Sequence, residues 1–323
     1  MNTKSHKPIL SMILGVLLTY IFAGCSNDVS QGKFVALTTG NGIYYSEDGI
    51  NWTQVENTSG HGLFNVCYGN GKFIVLFNTS IAYSVDGKTW EGVFGTHSLT
   101  NVCYGNGKFV AIGGDPYSYT SVAYSPDGIN WDVKTDSSIV ASWTSICYGN
   151  GKFVAVSSDN QAAYSANGID WDYGTLLQGV SSIDWSSVCY GKGKFVAVAD
   201  NYSYTAYSTD GKIWTKAELG NTMYFNSVCY GGGKFVAVDK TSSNEAVYSP
   251  DGITWKQTQL QGKQWNSVCY GNGKFVAVGK LESEDKVAHS SDGIHWNYTL
   301  QPSGAGGLQN ITYGLDSDIF GFL

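Results

Sequence analysis

The chain has 323 residues, 42% of them hydrophobic and 14% charged, and a formal net charge of -7. That is enough apolar material for a sizeable core, and no basic stripe is present, so nucleic acid is not an expected partner. All 19 basic residues are lysine; no site here can clamp a carboxylate with a guanidinium fork.

In chain order, the first element is a leader. Met1-Asn2-Thr3-Lys4-Ser5-His6-Lys7 is basic, and an apolar run from Pro8 to Ala23 follows, ending at Gly24-Cys25. The run is too short for a comfortable membrane span and has the order of a secretory signal. Ala23-Gly24-Cys25 resembles the lipobox of bacterial lipoproteins, with Phe22 standing where Leu is usual. The resemblance implies a signal peptide over 1–24, a lipid on Cys25, a short tether over 25–31 and an extracytoplasmic location. The membrane is then met through the lipid anchor only, because each buried methylene of an acyl chain adds about 0.8 kcal/mol.

From Gly32 onward one unit recurs. Ser-Val-Cys-Tyr-Gly-Asn-Gly-Lys-Phe-Val-Ala-Val leads through a variable stretch to Ala-Tyr-Ser-x-Asp-Gly-Ile-x-Trp. The closing Trp falls at Trp52, Trp90, Trp131, Trp171, Trp214, Trp255 and Trp296. A period of about 40 residues holding four short apolar runs predicts a propeller, one small antiparallel sheet per repeat. In the sixth unit the strands are Ser227–Tyr230, Lys234–Val238, Glu245–Ser249 and the residues from Trp255. Along Lys234–Val238 both faces are apolar, so both must be covered, as they are between radial blades and are not in a sandwich. The expected fold over 32–323 is all-β, a seven-bladed β-propeller of four-stranded antiparallel blades.

Two turns per unit are written in the residue types. Gly105-Asn106-Gly107 supplies positive-φ residues for a hairpin, as do Gly69-Asn70-Gly71, Gly149-Asn150-Gly151 and Gly271-Asn272-Gly273. Ser125-Pro126-Asp127-Gly128-Ile129-Asn130-Trp131 resembles the Asp-box of the bacterial neuraminidase repeat, also found in sortilin-type receptors and photosystem assembly factors. It has one residue fewer between Asp and Gly. The structural turn residues are Asp48, Asp86, Asp127, Asn167, Asp210, Asp251 and Asp292. Each is expected to accept backbone N–H bonds across its turn. Asn167 shows that the charge is dispensable, which argues against calcium; no metal and no cofactor are expected.

Cys67, Cys103, Cys147, Cys189, Cys229 and Cys269 share one repeat position, with Thr312 in the last copy. Equivalent positions on successive blades lie near or beyond the roughly 7 Å Cα limit for a bridge, so free buried thiols are expected. The first unit lacks this strand and the C-terminus supplies one, Asn310–Gly314, which predicts a ring closed by the C-terminal strand. Ile319–Leu323 then reads as a surplus strand, and a truncated eighth blade is the alternative.

Strand starts and the loops above them form the top face, where the copies differ. There the candidate ligand-binding residues are an aromatic ring, Trp143, Trp185, Phe225 and Trp265, and the loop tyrosines Tyr117, Tyr119, Tyr202 and Tyr204. Core packing explains the ring equally well. His61 and His97 read as exposed loop residues. The expected function is a non-catalytic, monomeric envelope lipoprotein whose propeller binds or scaffolds an extracytoplasmic protein or glycan. The alternative is a glycan-cleaving enzyme, though not a sialidase, since the resemblance implies an arginine triad this chain lacks. Its carboxylates, about 5–10 Å apart, would come from Asp115, Asp159, Asp200, Asp239, Glu245 and Glu282, none paired by a short motif; no catalytic residue is expected.

Overall fold

The computed structural model describes residues 32–39, 42–55, 62–77, 80–94, 99–114, 120–136, 141–180, 182–241, 245–262, 264–279, 286–300 and 307–315. These residues form strands and turns and no helix.

The strands make six antiparallel sheets. The first holds β1 (Lys33–Thr38), β2 (Ile43–Ser46) and β3 (Thr53–Gln54). The second holds β4 (Asn65–Gly69), β5 (Lys72–Leu76), β6 (Ser80–Ser84) and β7 (Glu91–Phe94). The third holds β8 (Leu99–Gly105), β9 (Lys108–Gly113), β10 (Thr120–Ser125) and β11 (Asp132–Asp136). The fourth holds β12 (Trp143–Gly149), β13 (Lys152–Ser157), β14 (Gln161–Ser165) and β15 (Asp172–Thr175). The fifth is larger: β16 (Trp185–Gly191), β17 (Lys194–Ser208), β18 (Thr215–Gly231), β19 (Lys234–Asp239), β20 (Glu245–Ser249) and β21 (Lys256–Gln259). The sixth holds β22 (Trp265–Gly271), β23 (Lys274–Gly279), β24 (Lys286–Ser290) and β25 (Asn297–Leu300). The last strand, β26 (Leu308–Gly314), joins the first sheet in the order β26-β1-β2-β3.

The expectation of seven four-stranded blades is therefore corrected. The ring is a six-bladed propeller by its hydrogen-bonded sheets, five of four strands and one of six. The fifth and sixth repeat units share the large sheet because two strands, β17 and β18, run on without interruption and pair with each other. β17 continues through Asp200–Tyr204, and β18 joins the outer strand of one unit to the inner strand of the next. Asp200 pairs with Tyr224, Tyr202 with Met223 and Tyr204 with Glu218. Alternation survives along β18, with Ala217, Met223 and Phe225 buried and Glu218, Thr222 and Tyr224 exposed. A pleated ribbon with one buried side is stable as a strand, here with register shifts between Asp200 and Tyr202 and between Tyr202 and Tyr204.

The register of β26 against β1 pairs Tyr313 with Phe34 and Gly314 with Lys33, as Tyr68 pairs with Phe73 and Gly69 with Lys72 in β4 and β5. The C-terminal strand thus serves as the inner strand of the sheet that opens the chain. Ile319–Leu323, read as a surplus strand, lies outside the described residues.

The core sits between successive sheets. In β9 every residue from Phe109 to Ile112 is 0% exposed, since each sheet face meets a neighbour. Cys67, Ile74 and Leu76 of one sheet pack with Leu99, Val102 and Phe109 of the next. Inner strands are also tied side chain to backbone. Val188 N–H donates to Ser145 Oγ (3.1 Å), Val228 N–H to Ser187 Oγ (3.2 Å) and Val268 N–H to Ser227 Oγ (3.2 Å). These bonds explain why small polar residues recur inside otherwise apolar strands: each fills a donor the neighbouring strand leaves open.

Candidate functional site: the variable face

The bottom face carries both repeated turns, and the Asp-Gly turn keeps one bonding pattern in every unit. At the third Asp-Gly turn, Asp127 Oδ1 accepts from the Ile129 and Asn130 backbone N–H groups (2.9 Å each) and from Ser125 Oγ (2.9 Å). Gly128 N–H donates to Ser125 Oγ at 2.8 Å, and Gly128 holds φ 75°. Asp48, Asp86, Asp210, Asp251 and Asp292 repeat this pattern, and Asn167 does so with an amide oxygen. Hairpin lysines then lock neighbouring units: Lys152 Nζ donates to Asp210 O (2.9 Å), and Lys274 Nζ closes the circle on Asp48 O (2.9 Å). With its carboxylates committed to their own backbones, this face has little left for a ligand.

The top face differs from unit to unit. Its expected aromatic ring is present but sealed: Trp143 is 3% exposed, Trp265 1%, and Trp185 and Phe225 0%. Trp143 Nε1 donates to Thr120 Oγ1 (3.0 Å) and Trp185 Nε1 to Asn160 Oδ1 (3.1 Å); Trp265 Nε1 is buried without a partner. These four side chains fill the space between sheets, and their faces are not open to a ligand. The reading as core packing holds for them. Of the loop tyrosines, Tyr117 and Tyr119 lie outside the described residues, as do His61 and His97.

Tyr202 and Tyr204 form the candidate site. They stand on the ribbon where β17 meets β18, with Asn201 at φ 63° beside them. Their ring centroids are 5.3 Å apart, and the Tyr202 hydroxyl donates to Ser182 O at 2.7 Å. Lys216 Nζ lies 4.0 Å from the Tyr204 ring centroid and 2.9 Å from Glu218 Oε1. Burial, with Tyr202 alongside, raises the Tyr204 pKa, so its hydroxyl stays protonated and able to donate at neutral pH. Beside the ribbon, Lys240 Nζ pairs with Asp200 Oδ2 at 2.5 Å, and Asp200 Oδ1 is buried with no hydrogen-bond partner. The result is an aromatic patch bordered by both charge signs.

Lys216, Glu218 and Lys240 are not distinguished in the sequence. Lys216 and Glu218 reach Tyr204 because β17 and β18 stay paired through this segment, and Lys240 meets Asp200 at its edge. Asn160 is also silent in the sequence. It is 1% exposed at φ 60°. Its amide donates to Leu177 O (3.0 Å) and Val180 O (2.9 Å), and Oδ1 accepts from Leu177 N–H (3.2 Å) as well as Trp185. An Asn followed by an alternating strand carries no mark of such a hub.

Among the described loop acids, Asp239, Asp159 and Asp200 each bond to a group other than a second carboxylate. Asp239 is 1% exposed and accepts from the backbone N–H groups of Tyr224 (2.8 Å) and Thr241 (2.6 Å). Asp159 accepts from Ser157 Oγ and borders a shallow hollow of about 420 Å³ with Tyr173 and Thr175. Asp115 and Glu282 lie outside the described residues. Among the described residues no three His, Cys, Asp or Glu side chains are placed to hold a metal ion.

No protein-family model matches the chain, and no curated protein matches it. Solved structures do. The fold is similar to a streptogramin B lyase structure, with TM-score 0.66, 8% identity and coverage of 79% of this chain and 91% of that one. It is similar to YCF48 bound to D1 peptide, with TM-score 0.57, 13% identity and 84% of each chain covered. Apo AztD from Citrobacter koseri gives TM-score 0.56 at 9% identity, covering 88% of this chain and 87% of that one. At these identities the likeness shows the β-propeller fold.

Proposed function

We propose that this protein is a non-catalytic cell-envelope lipoprotein whose propeller binds or scaffolds an extracytoplasmic protein through its top face. The carrying observation is the contrast between the faces. The bottom repeats one bonding pattern seven times, whereas the top presents an unrepeated ribbon bearing Tyr202, Tyr204, Lys216 and Glu218. Amphipathic rings with few rotatable bonds, bordered by both charge signs, suit a protein surface. Similar propellers support a protein partner: one was solved with D1 peptide and another in a Nidogen/Laminin complex. A glycan is the second ligand class the tyrosines suit.

An enzymatic reading draws support from the streptogramin B lyase likeness. Against it, Asp239 is spent on backbone donors and Asp200 is paired with Lys240. Lipidation at Cys25 is part of the proposal, supported by the leader and Ala23-Gly24-Cys25; mass spectrometry of the mature N-terminus should show an acylated Cys.

The binding test is affinity capture from envelope extract, with a glycan array beside it, comparing the native protein with Tyr202→Ala/Tyr204→Ala. A partner held by the native protein should bind tenfold or more weakly to the double variant while its cooperative melting transition is retained, at a somewhat lower midpoint because both rings pack on the core, since truncating an aromatic anchor commonly costs about 2 kcal/mol or more. If binding survives that change and is lost instead on altering a bottom turn in a folded protein, the top-face reading is wrong.

A further inference from the structure

The chain enters the ring on the bottom face. Lys33 is the register partner of Gly314 as Lys72 is of Gly69, so Gly32 takes the place that Gly71 holds in the hairpin turn of the next unit. A Cβ on Gly32 would come within 2.4 Å of the Tyr313 hydroxyl, which fixes this entry point among the bottom-face side chains. Seven residues, Cys25–Gln31, precede it. Fully extended they reach about 25 Å. The inner strand β26, seven residues long, already stands about 20 Å tall. A lipid on Cys25 therefore reaches a bilayer below the bottom face with slack. With the top face down, the tether would have to climb the full height of the ring and also travel outward past its rim.

The bottom face also has suitable chemistry. Tyr68, Tyr104, Tyr148 and their counterparts are partly exposed there, each stacked on a Phe of its own sheet with centroids 4.8 Å apart. Tyrosine, apolar in body and polar at its tip, favours the headgroup layer. Around these rings lysines alternate with Asp-Gly turns, as at Lys152 and Asp210 or Lys274 and Asp48. Alternating signs cancel at a distance, so this face neither needs an anionic bilayer nor is repelled by one.

We propose that the bottom face is the membrane-facing surface, seated on zwitterionic phospholipid headgroups, and that the top face is thereby presented outward. The inference rests on the lipidation of Cys25 proposed above.

The test uses the full chain purified from host membranes, its N-terminus checked by mass, in phosphatidylcholine vesicles carrying a nitroxide-headgroup lipid. An azide-bearing side chain for fluorophore attachment replaces Val85, 48% exposed in a bottom turn, or in a separate protein Thr222, exposed at the top. Emission should be lost at position 85 and retained at 222. Equal loss at the two positions, or greater loss at 222, overturns the orientation. If the protein carries no acyl group and does not float with the vesicles, the lipidation falls and the orientation with it. If it is acylated and floats while the labels behave alike, the orientation alone falls.

Discussion

The ring of Tyr68 lies directly over Gly314, the last residue of β26: a Cβ on Gly314 would come within 2.2 Å of Tyr68 Cδ2. The two are 246 positions apart in sequence, and their contact joins the final strand to the second sheet. The same contact sets Tyr104 on Gly69, Tyr148 on Gly105 and, near the end, Tyr313 on Gly271. The glycine closing each inner strand is required as a site of close approach, because the neighbouring ring occupies the space a side chain would need.

Gly105→Ala should therefore destabilise the protein through overpacking. Its Cβ would sit 2.0 Å from Tyr148 Cγ, a clash the ring cannot relieve without leaving Phe153, 4.8 Å away between centroids. The expected loss is about 1–3 kcal/mol, read from chemical denaturation. Gly107→Ala is the contrast, with open space around the added carbon but φ 73°. It should cost about 1 kcal/mol through backbone strain alone. Equal midpoints for Gly105→Ala and the native protein would refute the contact's role.

Deleting residues 308–323 should cost far more than a terminal truncation usually does. β1 would lose its inner partner and β22 its neighbour, exposing buried Phe34, Ala36 and Val276 and an unpaired edge. Loss of the cooperative melting transition, or oligomerisation in size-exclusion chromatography, is expected. A monomer with an unchanged midpoint would disprove closure by β26.

Acid should weaken the bottom face. Burial acts to raise the Asp48 pKa, but the Asn51 and Ile50 backbone N–H groups, helped by the Asn51 and Ser46 side chains, outweigh it and lower the pKa from 3.8 to about 2. Asp127 is lowered too, chiefly by the Asn130 and Ile129 N–H groups. A depressed folded-state pKa gives stability that is present above the unfolded value and lost as pH falls through the folded one. The thermal midpoint should thus fall between about pH 4 and pH 2. Asp48→Asn, which replaces charged acceptors by a neutral amide as at Asn167, should reduce that fall because the neutral midpoint is itself lowered. An identical acid profile for the variant would show that these turns do not carry the effect.

The six repeated cysteines are free; Cys67 is buried as expected but the other five are half-buried, and desolvation raises the thiol pKa of each, as at Cys67, Cys147 and Cys229. The attacking species is the thiolate, so native reaction with a thiol reagent at neutral pH should be slow. With Cys25 replaced, six groups should titrate once the chain is unfolded. Rapid labelling of the folded protein would contradict this packing.

The sequence by itself determined the repeat, its antiparallel strands, both turn types and the closing strand. Each is local chemistry or one repeated pattern: Ser125-x-Asp127-Gly128 specifies its own hydrogen bonds, and Lys108–Ile112 its own two-sided burial. It also left Trp143, Trp185, Phe225 and Trp265 balanced between platform and packing, because an aromatic residue at a strand start reads alike in both roles. The tertiary structure decided that question by setting a neighbouring sheet against each ring. The blade count was decided the same way: Asp200–Tyr204 has loop composition, and only Met223 and Tyr224 across the ladder hold it as a strand. The same pairing brings Lys216 and Glu218 to Tyr204. Residues that meet across an unrepeated ribbon share no spacing or period, so Tyr202 and Tyr204 stood out in the sequence while their neighbours Lys216 and Glu218 became visible only once the chain had folded.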